Sequence, residues 1–187
     1  MTAGTRPAEQ LRRRESPAPL PAGAWRVDTA RSAVGFRLRH LMLVPVRGRF
    51  VDFEGSIEVE PDGRMRAGGS VAVATIDTGD AVRDDRLRSP DYFDAEQFPR
   101  IVFATTSVEA LNPRSLRIRG ELTVKATTQP IELHAWRRSA DAESIELDVE
   151  GKLSRGAFGI DSAQLLDAGI SDRVEVRMAI ALVPARR

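Results

Sequence analysis

The chain has 187 residues, of which 42% are hydrophobic and 29% are charged, and its formal net charge is +1. This composition predicts one globular domain with a substantial apolar interior. The small net charge gives no electrostatic basis for nucleic-acid binding. The chain has no cysteine, which excludes disulfides and thiol chemistry.

Residues 1–23 are rich in proline, alanine and arginine and lack the apolar core of a signal peptide. We expect a disordered leader over 1–23 and a single folded domain over 24–184. No stretch approaches the eighteen consecutive apolar residues of a membrane span. Because no signal peptide is visible, we expect a cytoplasmic location.

Most of the chain alternates between apolar and polar residues, the pattern of half-buried β-strands. It predicts eight strands joined mostly by short turns, over residues 33–40, 50–59, 70–76, from 101 onward, 116–124, 131–135, 145–153 and 174–182. Pro45 interrupts the pattern, and Pro61-Asp62-Gly63 predicts a hairpin turn. Eight strands in up-and-down order can close into an antiparallel barrel, which leaves no exposed sheet edge.

The segment 78–103 is the long exception to this alternation. Charged residues are crowded in its first half, and Ser89 and Pro90 then predict a helix start, with serine as the N-cap. Tyr92 and Phe93 follow directly. We interpret the segment as a short helical lid on the barrel, and the alternative is an ordinary crossover connection.

The phase of each strand indicates which side chains face the barrel interior. The interior of an eight-stranded barrel holds either packed side chains or one slender ligand, and alternation does not distinguish the two. Plain core packing is the alternative for each candidate. The candidate pore residues, with Phe93 and Phe158 at the mouth, are Phe36, Leu38, His40, Phe53, Val73, Phe93, Phe103, Leu122, Val124, Leu133, Leu147 and Phe158.

Catalytic and metal-binding patterns are weak in this sequence. His40 shares a strand face with apolar residues and is predicted to point inward, whereas His134 is predicted to point outward; one inward histidine without cysteine does not make a usual zinc site. Arg83 and Asp84 are best explained as a structural ion pair or a helix-end arrangement. We therefore predict no catalytic residue, no metal site and no cofactor.

A set of short motifs spans residues 24–182. They are Trp25-Arg26-Val27-Asp28 with Ser32 and Phe36, Gly48-x-Phe50-x-x-Phe53-x-Gly55, Arg83-Asp84-x-x-Leu87-x-Ser89-x-Asp91-Tyr92-Phe93-Asp94, Phe98-Pro99-x-Ile101-x-Phe103, Gly120-Glu121-Leu122-Thr123-Val124 and Phe158-Gly159-Ile160. In combination these motifs resemble the YceI-like family, the polyisoprenoid-binding, lipocalin-like bacterial proteins. The chain departs from the family pattern at Arg86, where a histidine is usual, and at Ala126, where a glycine is usual.

The resemblance implies a lipocalin-like extended barrel with an elongated apolar pore, a polyisoprenoid or isoprenoid-quinone ligand, and a homodimer. We therefore expect non-catalytic binding, sequestration or transport of such a lipid, with the candidate pore residues in contact with it. Two alternatives stay open: a small enzyme that acts on a lipidic substrate in the same pore, and a structural barrel with a filled interior.

Overall fold

The structure, a computed structural model, describes residues 20–40, 44–160 and 169–185. This part of the chain contains eleven strand segments in one sheet. The segments are β1 (Gly23–Val27), β2 (Ala33–His40), β3 (Val44–Phe50), β4 (Phe53–Val59), β5 (Met65–Ala72), β6 (Ile76–Asp77), β7 (Arg100–Asn112), β8 (Ser115–Val124), β9 (Thr127–Ala140), β10 (Ile145–Ser154) and β11 (Arg173–Pro184). Helix α1 spans Ala81–Arg88, and 3₁₀ helices span Thr29–Arg31, Val73–Thr75 and Gly156–Phe158.

These segments form eight long strands, because the first six segments are three strands that are each interrupted once. β1 and β2 both pair with β11. β4 pairs with β1, and β3 pairs with β2. On the other side of this strand, β5 pairs with β4, and β6 pairs with β3. Strands β7 to β11 follow in sequence order, and the ring closes where β11 meets β1 and β2. The predicted eight-stranded antiparallel barrel is confirmed.

The second long strand begins earlier than the alternation predicts. The pattern indicates a strand over 50–59, but β3 already starts at Val44 and includes Pro45. β6 pairs only with Arg49 and Phe50 of this strand. Within the described residues no second strand therefore flanks Pro45, and the missing N–H of proline costs no ladder hydrogen bond on that side.

The third long strand also differs from its prediction over 70–76. β5 ends at Ala72, and a 3₁₀ turn over Val73–Thr75 follows before β6. The turn interrupts the two-residue period of the strand, so the inward phase of Val71 does not carry over to Val73. Val73 is almost completely buried in this turn.

The helix of the lid ends directly before Ser89, whereas the sequence predicted that a helix begins there. Asp80 is the N-cap of α1, and its side chain accepts a hydrogen bond of 3.1 Å from the backbone N–H of Arg83. The helix ends at Ser89, whose φ of −65° and ψ of 164° are the extended conformation that a following proline favours. Pro90 therefore terminates the helix before it, and the prediction of a helix start at Ser89 was wrong.

One end of the barrel is closed by a tightly packed apolar core. Trp25, Ile145 and Leu182 are buried there. Leu20, the first residue that the structure describes, is also part of this core. The Trp25 indole Nε1 donates a hydrogen bond of 3.0 Å to the carbonyl of Pro21. The remainder of the predicted leader, residues 1–19, lies outside the described residues.

The other end is covered by residues 78–99, which we call the lid. The lid follows β6 and leads into β7, whose first residues pair with the end of β5. Arg88 fastens α1 to the barrel, donating hydrogen bonds to the carbonyls of Ala74 at 2.9 Å and Ile76 at 3.0 Å. A second buried apolar cluster joins the lid to the barrel, because Tyr92 of the lid belongs to one cluster with Val124, Phe158 and Ile160.

Candidate functional site

The barrel encloses a cavity of about 630 Å³ that extends from the closed-end core to the lid. Inward-facing residues from strands on all sides of the barrel line this cavity, so the interior is hollow. The wall is almost entirely aliphatic and aromatic, as expected for the buried face of alternating strands. A filled structural barrel, one of the alternatives from the sequence, does not describe this interior.

Glycines on the wall make room for large side chains to lie flat against the strands. Phe36 on β2 is directly opposite Gly48 on β3, and its ring lies over the glycine: a Cβ added there would be 2.7 Å from the ring Cε1. The Phe103 ring covers Gly120 in the same manner, at 2.5 Å from Cε2 to an added Cβ. Because the rings occupy the space of missing side chains, they leave the centre of the barrel open.

Most of the predicted pore residues line this cavity. His40 and Val73 are the exceptions: the side chain of His40 lies outside the described part of the structure, and Val73 lies in the 3₁₀ turn, away from the cavity. Contact with a lipid stays a prediction for all of them. The residues on the wall are Phe36, Leu38, Phe53, Phe93, Phe103, Leu122, Val124, Leu133, Leu147 and Phe158.

Sequence reasoning missed many cavity residues, and two groups of them matter for the site. The first is the inward face of β11, represented by Val176, Met178 and Ile180, although the alternation of the last strand predicted that face correctly. The second group is polar and lies at the lid end, where Arg83 and Arg86 line the cavity. These arginines belong to a helix, and no strand phase could have placed them at the cavity.

A hydrogen-bonded network joins the lid helix to the end of β6. The Thr78 hydroxyl donates to the Asp84 carboxylate, and the Thr78 backbone N–H donates to the same group at 3.0 Å. The Arg83 guanidinium donates to the Thr78 hydroxyl at 2.7 Å and to its carbonyl at 3.0 Å. Asp84 is buried. Thr78 bridges the Asp84 carboxylate and the Arg83 guanidinium, because its hydroxyl contacts both groups. The predicted Arg83–Asp84 arrangement is a helix-end network bridged by Thr78.

Charges outside the cavity hold the lid end of the barrel in place. The Arg49 side chain beside Asp77, together with the Gly79 N–H, holds the pKa of the Asp77 carboxyl below its usual range. The Arg49 guanidinium is 2.8 Å from this carboxylate. Asp77 is thus ionised at neutral pH, and the ion pair connects β3 to β6 directly before the lid begins.

The other chemistry-bearing side chains do not converge on the cavity. His134 faces outward, as predicted, and its Nε2 is 3.3 Å from the Glu132 carboxylate on the outer surface of β9. No group of three or more histidine, aspartate or glutamate residues in the described ranges is arranged to hold a metal ion. Nor does any helix in those ranges have the length and apolar character needed to cross a membrane.

The closed barrel, the apolar cavity and the capping helix together define a lipocalin-like barrel with room for a slender apolar ligand. The chain belongs to the YceI-like family, since the model of the YceI-like domain matches residues 25–182. A UPF0312 protein of Staphylococcus aureus (strain USA300) is 28% identical over 150 residues, which cover 76% of this chain and 85% of that protein.

Solved structures share the fold at low sequence identity. The crystal structure of BcnA from Burkholderia cenocepacia has a TM-score of 0.76 at 23% identity and covers 83% of this chain and 98% of that one. A domain from Saccharophagus degradans, described as polyisoprenoid binding and implicated in plant cell wall breakdown, has a TM-score of 0.70 at 14% identity, covering 86% of this chain and 98% of that one. These likenesses confirm the architecture of the barrel.

Proposed function

We propose that this protein binds a polyisoprenoid or isoprenoid-quinone-type lipid inside the barrel and sequesters or transports it without catalysis. The observation that carries this proposal is the apolar cavity of about 630 Å³. Sites for small molecules typically measure 300–1,000 Å³ and are mostly apolar with a few polar groups. The cavity has this size and character, and Arg83 and Arg86 supply polar groups at its lid end.

An isoprenoid chain suits this cavity energetically. Each buried CH₂ group contributes roughly 0.8 kcal/mol, so a tail of about twenty carbons nominally reaches ~16 kcal/mol. That value is already near the practical limit of non-covalent affinity, and the cost of ordering the chain reduces it. The barrel therefore needs to enclose only part of a long polyisoprenoid to bind it tightly.

The relationship to the YceI-like family and the fold shared with the polyisoprenoid-binding domain of S. degradans support the choice of lipid. The hydrogen-bonded network of Thr78, Arg83 and Asp84 does not favour an enzyme over this binding role. Thr78 contacts both Asp84 and Arg83, and these contacts hold the lid helix in place.

Native mass spectrometry of the purified protein, followed by solvent extraction, tests the proposal. We expect one lipid per chain, or a mass increase of one ligand when geranylgeraniol or a prenylated quinone is added. A benzoquinone without its isoprenoid tail is the matched control and should produce no mass increase. A clean unliganded mass that neither prenylated compound shifts would contradict the proposal.

The homodimer and the cytoplasmic location stay predictions, as does the disordered leader over 1–23 apart from residues 20–23, which the structure describes as ordered. Analytical ultracentrifugation across a range of concentrations would measure the oligomeric state. Fractionation of cells that express the full chain would locate it, and hydrogen exchange over the first 23 residues would report on the leader.

A further inference from the structure

The lid helix and its N-cap carry six charged side chains, and all but one have a polar partner among the described residues. Asp85 forms an ion pair of 2.8 Å with Arg88. Asp84 accepts hydrogen bonds from Thr78, and Arg83 donates to Thr78 and lies 3.9 Å from Asp80. The remaining charge is Arg86.

Arg86 lies on the cavity side of the helix. It lines the cavity and is half-buried, as is Arg83 one turn before it. Its guanidinium carbon lies 5.6 Å from the centroid of the Tyr92 ring, within the range of a cation–π contact. Within the described ranges Arg86 forms no ion pair, so this aromatic face is the group that orients its positive charge at the lid end of the cavity.

Arginine is the commonest charged residue on the cavity lining, whose charged members are Arg83, Arg86, Arg155, Glu54 and Asp80. Glu54 forms an ion pair with Arg100, and Arg83 and Arg155 lie near the carboxylates of Asp80 and Asp172. Within the described ranges Arg86 is therefore the lining charge that has no carboxylate partner. Attraction between opposite charges is stronger beside an apolar interior than in bulk water. An anion at this position would also be held geometrically, because guanidinium groups bind phosphate and carboxylate oxygens in pairs of parallel hydrogen bonds.

We propose that the bound lipid carries an anionic oxygen head group, such as a phosphate monoester, and that Arg86 binds this head group at the lid end of the cavity. The inference rests on the proposed lipid-binding function and narrows its ligand class. The apolar wall holds the isoprenoid tail and has no preference among head groups. The arginines then favour an isoprenyl phosphate over an isoprenoid alcohol or quinone of the same length.

Calorimetric titration with a matched pair of ligands, farnesyl monophosphate and farnesol, tests the proposal. The two share one tail, so a difference in their affinity reports on the head group. We expect farnesyl monophosphate to bind at least about tenfold more tightly, and this preference to shrink as sodium chloride screens the charges. Inorganic phosphate alone should produce no binding signal, because a free anion lacks the tail that supplies most of the affinity.

Variants of Arg86 locate the preference. Arg86→Gln removes the hydrogen bond of a charged group to the phosphate, so it should weaken farnesyl monophosphate binding about tenfold. The affinity for farnesol should stay within about twofold, which would show that the cavity is intact. Arg86→Lys keeps the charge but loses the paired hydrogen bonds of the guanidinium, so it should restore only part of the preference. Arg66→Gln is the matched control, because Arg66 pairs with Glu60 on the outer surface and does not line the cavity.

The outcomes separate this inference from the proposed function. If both ligands bind equally to the wild type, the head-group proposal is overturned while lipid binding stands. If neither ligand binds, both proposals fail. An equal loss of both ligands by Arg86→Gln would overturn the assignment of Arg86, since it would show that the residue supports the cavity and not the head group. Binding of inorganic phosphate alone with full affinity would show a free-anion site instead.

Discussion

Replacing Gly48 with alanine should push the Phe36 ring into the cavity and weaken lipid binding. The two residues are directly opposite each other on β2 and β3, and the ring lies where a side chain on residue 48 would begin. An added Cβ would be 2.7 Å from the ring Cε1 and 2.9 Å from Cε2. The ring Cζ would be closer still. Carbon atoms pack at about 3.5 Å or more, so the ring must move by more than about 0.8 Å.

The direction of this movement decides whether stability or affinity is lost. Overpacking a filled core costs about 1–3 kcal/mol, but here the ring can swing into open space. Alanine also favours the strand over glycine by about 0.5–1 kcal/mol, so we expect a change in unfolding free energy below about 1 kcal/mol. If the ring excludes two CH₂ groups of the lipid, affinity falls by about 1.6 kcal/mol, roughly fifteenfold.

Urea denaturation and calorimetric titration with geranylgeraniol measure the two effects separately. Gly35→Ala is the matched control, because Gly35 lies opposite Arg49 and Arg177 on the outer face of the barrel and does not line the cavity. The nearest atom to a Cβ on Gly35 is a backbone oxygen at 3.3 Å. If Gly48→Ala lost 2 kcal/mol or more of stability with unchanged affinity, the reasoning would be refuted, since the ring would have had no cavity to enter.

Four further substitutions test other parts of the structure. Leu122→Arg should abolish lipid binding by placing a charge on the cavity wall, and a variant that is folded by circular dichroism yet still binds would contradict the pore assignment. Leu182→Ala removes a completely buried side chain and should cost about 2–5 kcal/mol in chemical denaturation; a loss below 1 kcal/mol would show that the closed end is loosely packed. Thr78→Val should leave the buried lid carboxylate short of a donor and cost about 1–3 kcal/mol, measured as faster hydrogen exchange in α1; unchanged exchange would argue against the network. The Ser154 hydroxyl and a backbone N–H hold the pKa of Asp172 below its usual range. That carboxylate therefore contributes stability above its unfolded pKa of about 3.9 and loses it as pH falls through the lower folded pKa. Asp172→Asn should accordingly lose less stability than the wild type between pH 5 and 3, and parallel pH profiles would exclude this contribution.

The strand faces could be predicted from the sequence because the two-residue period is a local property. In β8, Leu122 and Val124 fall on the inward face, and both line the cavity. The prediction failed only where the period itself is interrupted. At Val73 a 3₁₀ turn replaces the strand, and β-branched valine gives no warning of that turn because it favours extended structure.

The lid shows how one local signal supports two opposite predictions. Ser89 followed by Pro90 is a good helix start by residue preference, yet proline equally restricts the residue before it to extended geometry and so ends a helix. In the structure the helix precedes Ser89, because Asp80 caps the N-terminus of α1. The crowded charges of that segment gave no helix signal, and their mutual hydrogen bonds, which join residues across the lid, cannot be deduced from composition.

Whether the barrel is hollow depends on strand register, which alternation does not reveal. Alternation predicts that Phe103 and Gly120 both face inward, but only the pairing of β7 with β8 places the ring over the glycine. A register shifted by two residues keeps every side chain on its face, yet it would set the ring against a larger neighbour and force it into the lumen. The space for a lipid tail is therefore a property of paired residues on different strands, whereas the charge at the lid end is a property of one helix. Because the two features are independent, Gly48→Ala should weaken all isoprenoids alike, and Arg86→Gln should weaken only those with an anionic head group.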